Sequence, residues 1–176
     1  MEKNILITGV PGVGKTTALR QIVNQLAPGT VGGFWSSEIR EKGRRVGFAI
    51  ETLDGQTGIL AHTHQERGPR VGKYLVYIPD IEKVAVPSMI AAREKGFLVI
   101  IDEIARMELF SSEFSAEVIR CLEARCVLGT IQMRKDPFLD SVRNRPDVSL
   151  FELTRENRSL VPEQILSALL SQTTSL

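Results

Sequence analysis

Only two cysteines occur in the chain, Cys121 and Cys126, too few for a disulfide framework and, on their own, for a zinc centre. They fall on an expected helix and at the start of the strand after it, and read as two buried thiols. Charge of one sign is equally scarce: 22 Lys and Arg stand against 21 Asp and Glu, a net charge of +1. That balance gives no basic field of the kind that indicates nucleic acid or an anionic membrane as partner, and the sequence identifies no particular protein partner. No apolar run approaches the roughly 18 residues that cross a bilayer. Met1-Glu2-Lys3-Asn4 leads straight into a strand-length apolar stretch, without the n-region, long h-region and cleavage site of a secretory signal. A cytoplasmic location is therefore expected. Repeats, low-complexity tracts and linkers are also missing, so residues 1–176 are expected to form a single domain.

What is present is an alternation of strand and helix patterns, which implies an α/β fold with a largely parallel sheet flanked by helices. Asn4 to Thr8 is nearly all apolar, as a strand covered on both faces should be. From about Lys15 a helix is expected, with Leu19, Ile22, Val23 and Leu26 on one face and Pro28-Gly29 as its stop. Gly33 to Ile39, Val46 to Leu53, Gln56 to Leu60 and Tyr74 to Ile78 read as strands. Asp54-Gly55 between two of them marks a hairpin, an antiparallel insertion at one edge of the sheet. Asp80 to Lys95 is helical in pattern, kinked or restarted at Pro87, which lacks an amide donor. There follow a buried strand, Phe97 to Ile101, a helix, Ser112 to Arg125, and a strand, Val127 to Ile131. Asp136-Pro137 starts another helix. Ser149 to Leu153 is the last strand, Pro162 to Leu170 a closing amphipathic helix, and Ser171 to Leu176 a frayed tail.

Gly9-Val10-Pro11-Gly12-Val13-Gly14-Lys15-Thr16 matches G-x-x-x-x-G-K-[ST] at every fixed position, between an apolar strand and an amphipathic helix. Glycines let the backbone curl around a phosphate with its amides inward, and the helix N-terminus adds positive potential there. Lys15 is expected on the β- and γ-phosphates, the Thr16 hydroxyl on Mg²⁺, and Thr17 on the α-phosphate side. By itself the motif specifies triphosphate binding and not the use made of it.

A second motif supplies that use. Leu98 to Ile101 are apolar and are followed by Asp102 and Glu103, with the strand expected to end at the acid pair. Ligands of an open parallel sheet collect at such ends. Asp102 is placed to hold Mg²⁺, and Glu103, pointing elsewhere, to position and deprotonate an attacking water. A kinase would pass the phosphoryl group to a bound hydroxyl instead. The expected reaction is therefore Mg²⁺-dependent hydrolysis of a nucleoside triphosphate to diphosphate and phosphate. A nucleotide or small-molecule kinase is the alternative, and a slow nucleotide-dependent switch a third reading.

With these motifs placed, the chain resembles the thermostable, or human cancer-related, nucleoside-triphosphatase family over nearly its whole length. The resemblance rests on Thr8 to Thr17, Gly33 to Arg40, Gly43 to Phe48 and Arg70 to Tyr74. It continues in Ile101 to Ile104 with Met107-Glu108-Leu109-Phe110-Ser111, and in Gly129 to Ile131, Arg143 to Arg145 and Leu153 to Arg158. It implies a P-loop fold of RecA-like or kinase-like strand order. It also implies slow hydrolysis of ATP, GTP and other triphosphates with little base preference. This sequence departs from the family pattern in two places: Ala105-Arg106 stands where Gly-Lys is usual, and Trp35-Ser36 where tyrosine-threonine is usual. Arginine keeps the cation but replaces a point charge with a planar fork.

Phosphoryl transfer needs further positive charge on the transferring group. Arg40, Arg44, Arg45, Lys73, Arg106 and Arg158 are the candidates, with Arg106 first because it lies just past the acid pair, then Arg40 and Lys73. Thr130, at a strand end, reads equally as a γ-phosphate sensor and as a plain strand-end hydroxyl. Asn157-Arg158 is a candidate base contact, and Trp35 reads as core. His62 and His64 lack a third ligand nearby, which argues against zinc.

Overall fold

A computed structural model describes residues 4–171; residues 172–176 of the expected frayed tail lie outside the described residues. The strands are β1 (Asn4–Thr8), β2 (Val31–Glu41), β3 (Arg44–Thr52), β4 (Thr57–His62), β5 (Arg70–Val71), β6 (Tyr74–Val76), β7 (Leu98–Ile104), β8 (Val127–Ile131) and β9 (Val148–Glu152). The helices are α1 (Lys15–Val23), α2 (Ile78–Asp80), α3 (Val86–Glu94), α4 (Ser112–Glu123), α5 (Pro137–Arg143) and α6 (Leu160–Ser171). Among the described residues nine strands form one sheet, in the order β5-β6-β4-β3-β2-β7-β8-β1-β9.

From β2 to β9 the neighbours pair in parallel. This is the helix-covered α/β core that the alternating pattern implies. The acid-pair strand β7 does not adjoin the phosphate-loop strand β1, because β8 lies between them. That is the RecA-like member of the two strand orders. On the other side of β2 every pairing is antiparallel, so the expected hairpin is one part of a larger extension, β3-β4-β6-β5, and the sheet is mixed. β2 belongs to both regions. Val31 to Phe34 pair with β7, whereas Phe34 to Glu41 pair with β3 and carry the hairpin past the end of the parallel sheet.

Period-two alternation divides the apolar residues between two cores. On β1, Leu6 enters the cluster beneath α3, α4 and α5 with Phe34, Ile101, Phe114 and Val142. Ile5 and Ile7 face the opposite way, onto Leu19 and Ile22 of α1 and Ile165 and Leu169 of α6. Each such side chain contributes about 1.5–3 kcal/mol by leaving water, which fixes β1 in the middle of the molecule. Asn4 holds the start of the strand: its amide donates to Leu122 O (2.9 Å) and accepts from Val127 N (3.1 Å).

Several boundaries differ from expectation. α1 ends at Val23, where Asn24 N bonds Arg20 O at 3.0 Å, and the chain turns through Gln25 and Leu26 before reaching Pro28-Gly29. Pro87 is the second residue of α3 and does not start the helical rod. The helical rod is continued backwards by a π-helical stretch, Ile81–Ala85, whose last turn closes with Val86 N on Ile81 O. β7 does not stop at the acid pair but runs on to Ile104, with its pairing to β8 interrupted between Ile101 and Ile104. Asp136 caps α5 as expected, accepting from Phe138 N (2.9 Å) and Leu139 N (3.2 Å).

Candidate active site

The C-terminal ends of β1, β7 and β8 meet at one edge of the sheet, and the loop from Gly9 to Gly14 curls over that edge. Gly9 has φ +153°, and a Cβ there would lie 2.6 Å from Leu153 O, so only glycine lets this loop rest on the end of β9. Gly14, at φ 109°, occupies the N-cap of α1 and brings no side chain to cap it. The first-turn amides of α1 are thus left for an anion in the cleft. Val13 is buried against α1, while Val10 is exposed.

The cleft has a volume of about 690 Å³. Gly9, Pro11, Gly12, Gly14, Lys15, Thr16 and Thr17 line it, together with Asp102 and Glu103. The sequence-predicted phosphate and acid motifs therefore face one another. Asp102, 1% exposed, accepts from Thr16 Oγ1 on Oδ2 (2.8 Å) and from Thr130 Oγ1 on Oδ1 (2.7 Å). Burial pushes its carboxyl above the ordinary range, against the two hydroxyl hydrogen bonds and the nearby Lys15 charge. Thr130 is fully buried; its hydroxyl donates to Asp102, and it is not among the residues that line the cleft.

Glu103 turns to the other side. Its Oε1 lies 3.1 Å from Lys15 Nζ, which also donates to Gly9 O at 3.2 Å. Apart from that ion pair Oε1 has no partner among the described residues. Burial raises its pKa and the Lys15 charge lowers it. Glu108, on the 3₁₀ turn after β7, is also buried, with Oε2 unpartnered among the described residues. Burial pushes that carboxyl well above the ordinary range, and the charges of Glu103 and Asp102 push it further.

Mg²⁺ fits the donors present. A buried carboxylate and a threonine hydroxyl are hard oxygen ligands, and the Thr16 hydroxyl, already turned to Asp102, keeps its oxygen lone pairs free. Among the described residues no cluster of His, Cys, Asp and Glu forms a further metal centre. His62 and His64 meet edge to face, and His62 Nδ1 accepts from His64 N at 3.1 Å.

The cations are distributed differently from their order in the sequence. Arg106 is exposed on the turn past β7, outside the residues that line the cleft, and its backbone N donates to Gln132 Oε1 at 3.3 Å. Arg40 bonds Glu38 and Gly43 O, and Lys73 bonds Arg45 O. Arg45 does line the cleft, held by Glu38 and Tyr74 Oη (2.7 and 2.9 Å) and stacked on Phe48. Asn157 spends its side chain within its own loop, on Thr154 N and Glu152 O. Trp35 packs against the α1 core under Arg20.

Two walls of the cleft went unread in the sequence: Ser36, Ser37, Glu38 and Phe48 on the β2–β3 hairpin, and Gln132, Met133 and Arg134 after β8. The second wall carried a signal. Gln132 to Lys135 join a buried strand to a capped helix, and residues in that position sit above the sheet edge where ligands bind.

The model of the NTPase family matches residues 4–166. The chain is 45% identical to nucleoside-triphosphatase THEP1 of Thermotoga sp. strain RQ2, over 94% of each sequence. It superposes on the crystal structure of THEP1 from Aquifex aeolicus with a TM-score of 0.87 at 37% identity, covering 94% of this chain and 98% of the other. With the solution structure of a human cancer-related nucleoside triphosphatase the TM-score is 0.81 at 34% identity, over 96% and 98%. The chain belongs to this NTPase family.

Proposed function

We propose that the protein hydrolyses nucleoside 5′-triphosphates, ATP and GTP among them, to diphosphate and phosphate, slowly, with Mg²⁺ and with little preference for the base. The observation that carries this reading is the divergence of the acid pair: Asp102 is turned onto Thr16 and Thr130, and Glu103 onto Lys15. That divergence supports one carboxylate serving a metal and the other a water.

In this reading Lys15 and the amides of Gly12 to Thr16 bind the phosphates. Thr16 and Asp102 hold Mg²⁺, which when bound neutralises charge on the β- and γ-phosphate oxygens. Lys15 leaves Glu103 for the phosphates, and the freed carboxylate takes a proton from a water as the water oxygen bonds the γ-phosphorus. The bond from that phosphorus to the β,γ-bridging oxygen breaks, and its electrons leave with the diphosphate. The proton passes from Glu103 to solvent and resets the site.

Low base preference accords with Asn157, one of the two residues of the candidate base contact Asn157-Arg158, being committed to its own loop. A cytoplasmic setting accords with two free thiols, Cys121 and Cys126. Among the described residues no helix is long and apolar enough to cross a membrane. Transfer to a bound acceptor is the disfavoured alternative, since the relatives above are named triphosphatases.

The test is phosphate release from ATP, GTP, CTP and UTP with Mg²⁺ and no acceptor. Release from all four at similar kcat/KM is expected. Release that begins only when a metabolite acceptor is added, with a phosphorylated product, would overturn the reading.

A further inference from the structure

Arg143 of α5 is nearly enclosed, with 13% of its side chain exposed, yet most of its hydrogen bonds go to backbone. Nη1 donates to Gln132 O, and Nη2 donates to Arg134 O at 2.9 Å and to Asp140 Oδ1 at 2.5 Å. Gln132 N donates in turn to Ile104 O at 3.1 Å, which ties the first residue of the segment to the end of β7. The segment after β8 is thus held at both ends of its 132–134 stretch: by the sheet on one side and by a planar guanidinium spanning two carbonyls on the other. Asp136, which caps α5, closes the loop immediately afterwards. A free surface turn has no need of such restraint.

The restrained segment delivers Gln132, Met133 and Arg134 to the cleft that also holds Lys15, Thr16, Asp102 and Glu103. Among the described residues three cations line this cleft, and two are already neutralised: Lys15 by Glu103 and Arg45 by Glu38. Among the described residues Arg134 has no carboxylate partner, and its side chain is exposed towards solvent. A triphosphate brings about four negative charges into this space, most densely at the terminal phosphate, and a guanidinium suits phosphate oxygens by its forked donors.

We propose that Arg134 is the group that binds the terminal phosphate and stabilises charge on it during hydrolysis, and that Arg143 is the positioning residue that aims it. This rests on the proposed triphosphate site, and its test has a readout that does not require hydrolysis. Arg134 distinguishes a triphosphate from a diphosphate, because only the former has the phosphate it touches.

The experiment measures calorimetric Kd values for a non-hydrolysable ATP analogue and for ADP, both with Mg²⁺, alongside kcat for ATP. In Arg134→Ala the triphosphate is expected to bind about tenfold more weakly, with ADP affinity within about twofold of wild type. kcat is expected to fall about 10²-fold. Arg134→Lys should recover part of both losses. Arg143→Lys, which replaces the two separate nitrogens on these carbonyls with one, should reproduce the loss in part, and adding Arg134→Ala to it should cost less than in the wild-type background. Because Arg134 is exposed, its variants are expected to fold even if those of Arg143 do not. An unchanged triphosphate-to-diphosphate ratio in Arg134→Ala would overturn the proposal, whatever the kinetics. If wild-type protein releases no phosphate but the ratio falls in Arg134→Ala, the hydrolytic reading fails and Arg134 keeps its place on the terminal phosphate.

Discussion

Replacing Glu103 with glutamine is expected to tighten nucleotide binding while nearly abolishing turnover. The first effect follows from the ion pair with Lys15. At 3.1 Å and an effective dielectric of about 20, the gross attraction is about 5 kcal/mol. Most of it is offset by the cost of desolvating both groups, whose side chains are only 12% and 23% exposed. For a pair between the exposed and the fully buried extremes the net coupling is about 1–2 kcal/mol. A triphosphate competes with Glu103 for Lys15, so removing the carboxylate charge should return that energy to binding, a gain of about 5- to 30-fold in affinity. The second effect follows from the loss of a base, which costs about 10²–10⁴-fold in rate. Calorimetric titration with a non-hydrolysable triphosphate gives the affinity, and phosphate release at saturating ATP gives kcat. Turnover within about threefold of wild type would remove Glu103 from the base role. Weaker binding in the variant would refute the competition for Lys15, even if turnover were lost.

Two further expectations concern buried carboxylates away from the phosphate loop. Glu117 is fully buried between Arg93 Nε (2.7 Å) and Arg120 Nη1 (3.1 Å), the latter side chain 59% exposed. Arg93→Ala should therefore destabilise the fold by about 2–4 kcal/mol in urea titrations and Arg120→Ala by less than about 1 kcal/mol; the reverse order would show that burial does not set the worth of these pairs. Glu108 has a raised folded-state pKa, so its contribution is fully present below the unfolded value of about 4.3 and is lost as pH rises through the folded value. Relative to Glu108→Gln, the wild type should lose stability above about pH 4.3, by at most about 1.4 kcal/mol per pH unit. A difference that stays constant from pH 4 to pH 8 would mean that Glu108 is not held protonated.

The parts of this molecule that could be read from sequence are those in which chemistry and chain position coincide. β1 is apolar at every residue from Ile5 to Ile7 because helices cover both its faces. The phosphate loop needs its glycines because Gly9 touches the end of β9 and Gly14 must begin a helix without capping it. The acid pair follows Ile101 directly, so the apolar run of the strand by itself puts both carboxylates at the sheet edge. The antiparallel extension was only partly legible. Asp54-Gly55 announced one turn, but nothing local showed that β2 would outrun its parallel partner and pair along Phe34 to Glu41 with β3.

What remained hidden depends on strand order, which no local pattern encodes. Thr130 reaches Asp102 only because β8 lies beside β7; in an order that joined β1 directly to β7 the same threonine would point elsewhere. The cations make the same argument more sharply. Arg106 ranked first by its closeness to Asp102 along the chain, but past Ile104 the backbone folds into a turn, with Leu109 N on Ala105 O at 3.1 Å, and the side chain is left exposed outside the cleft lining. Arg134 is far from the acid pair in sequence and near it in space, because adjacent parallel strands release their next residues at the same edge. In a sheet of this kind the residues that share a site are those that follow different strands, so a search for the charge-stabilising group should compare strand ends with one another before it compares neighbours in the chain.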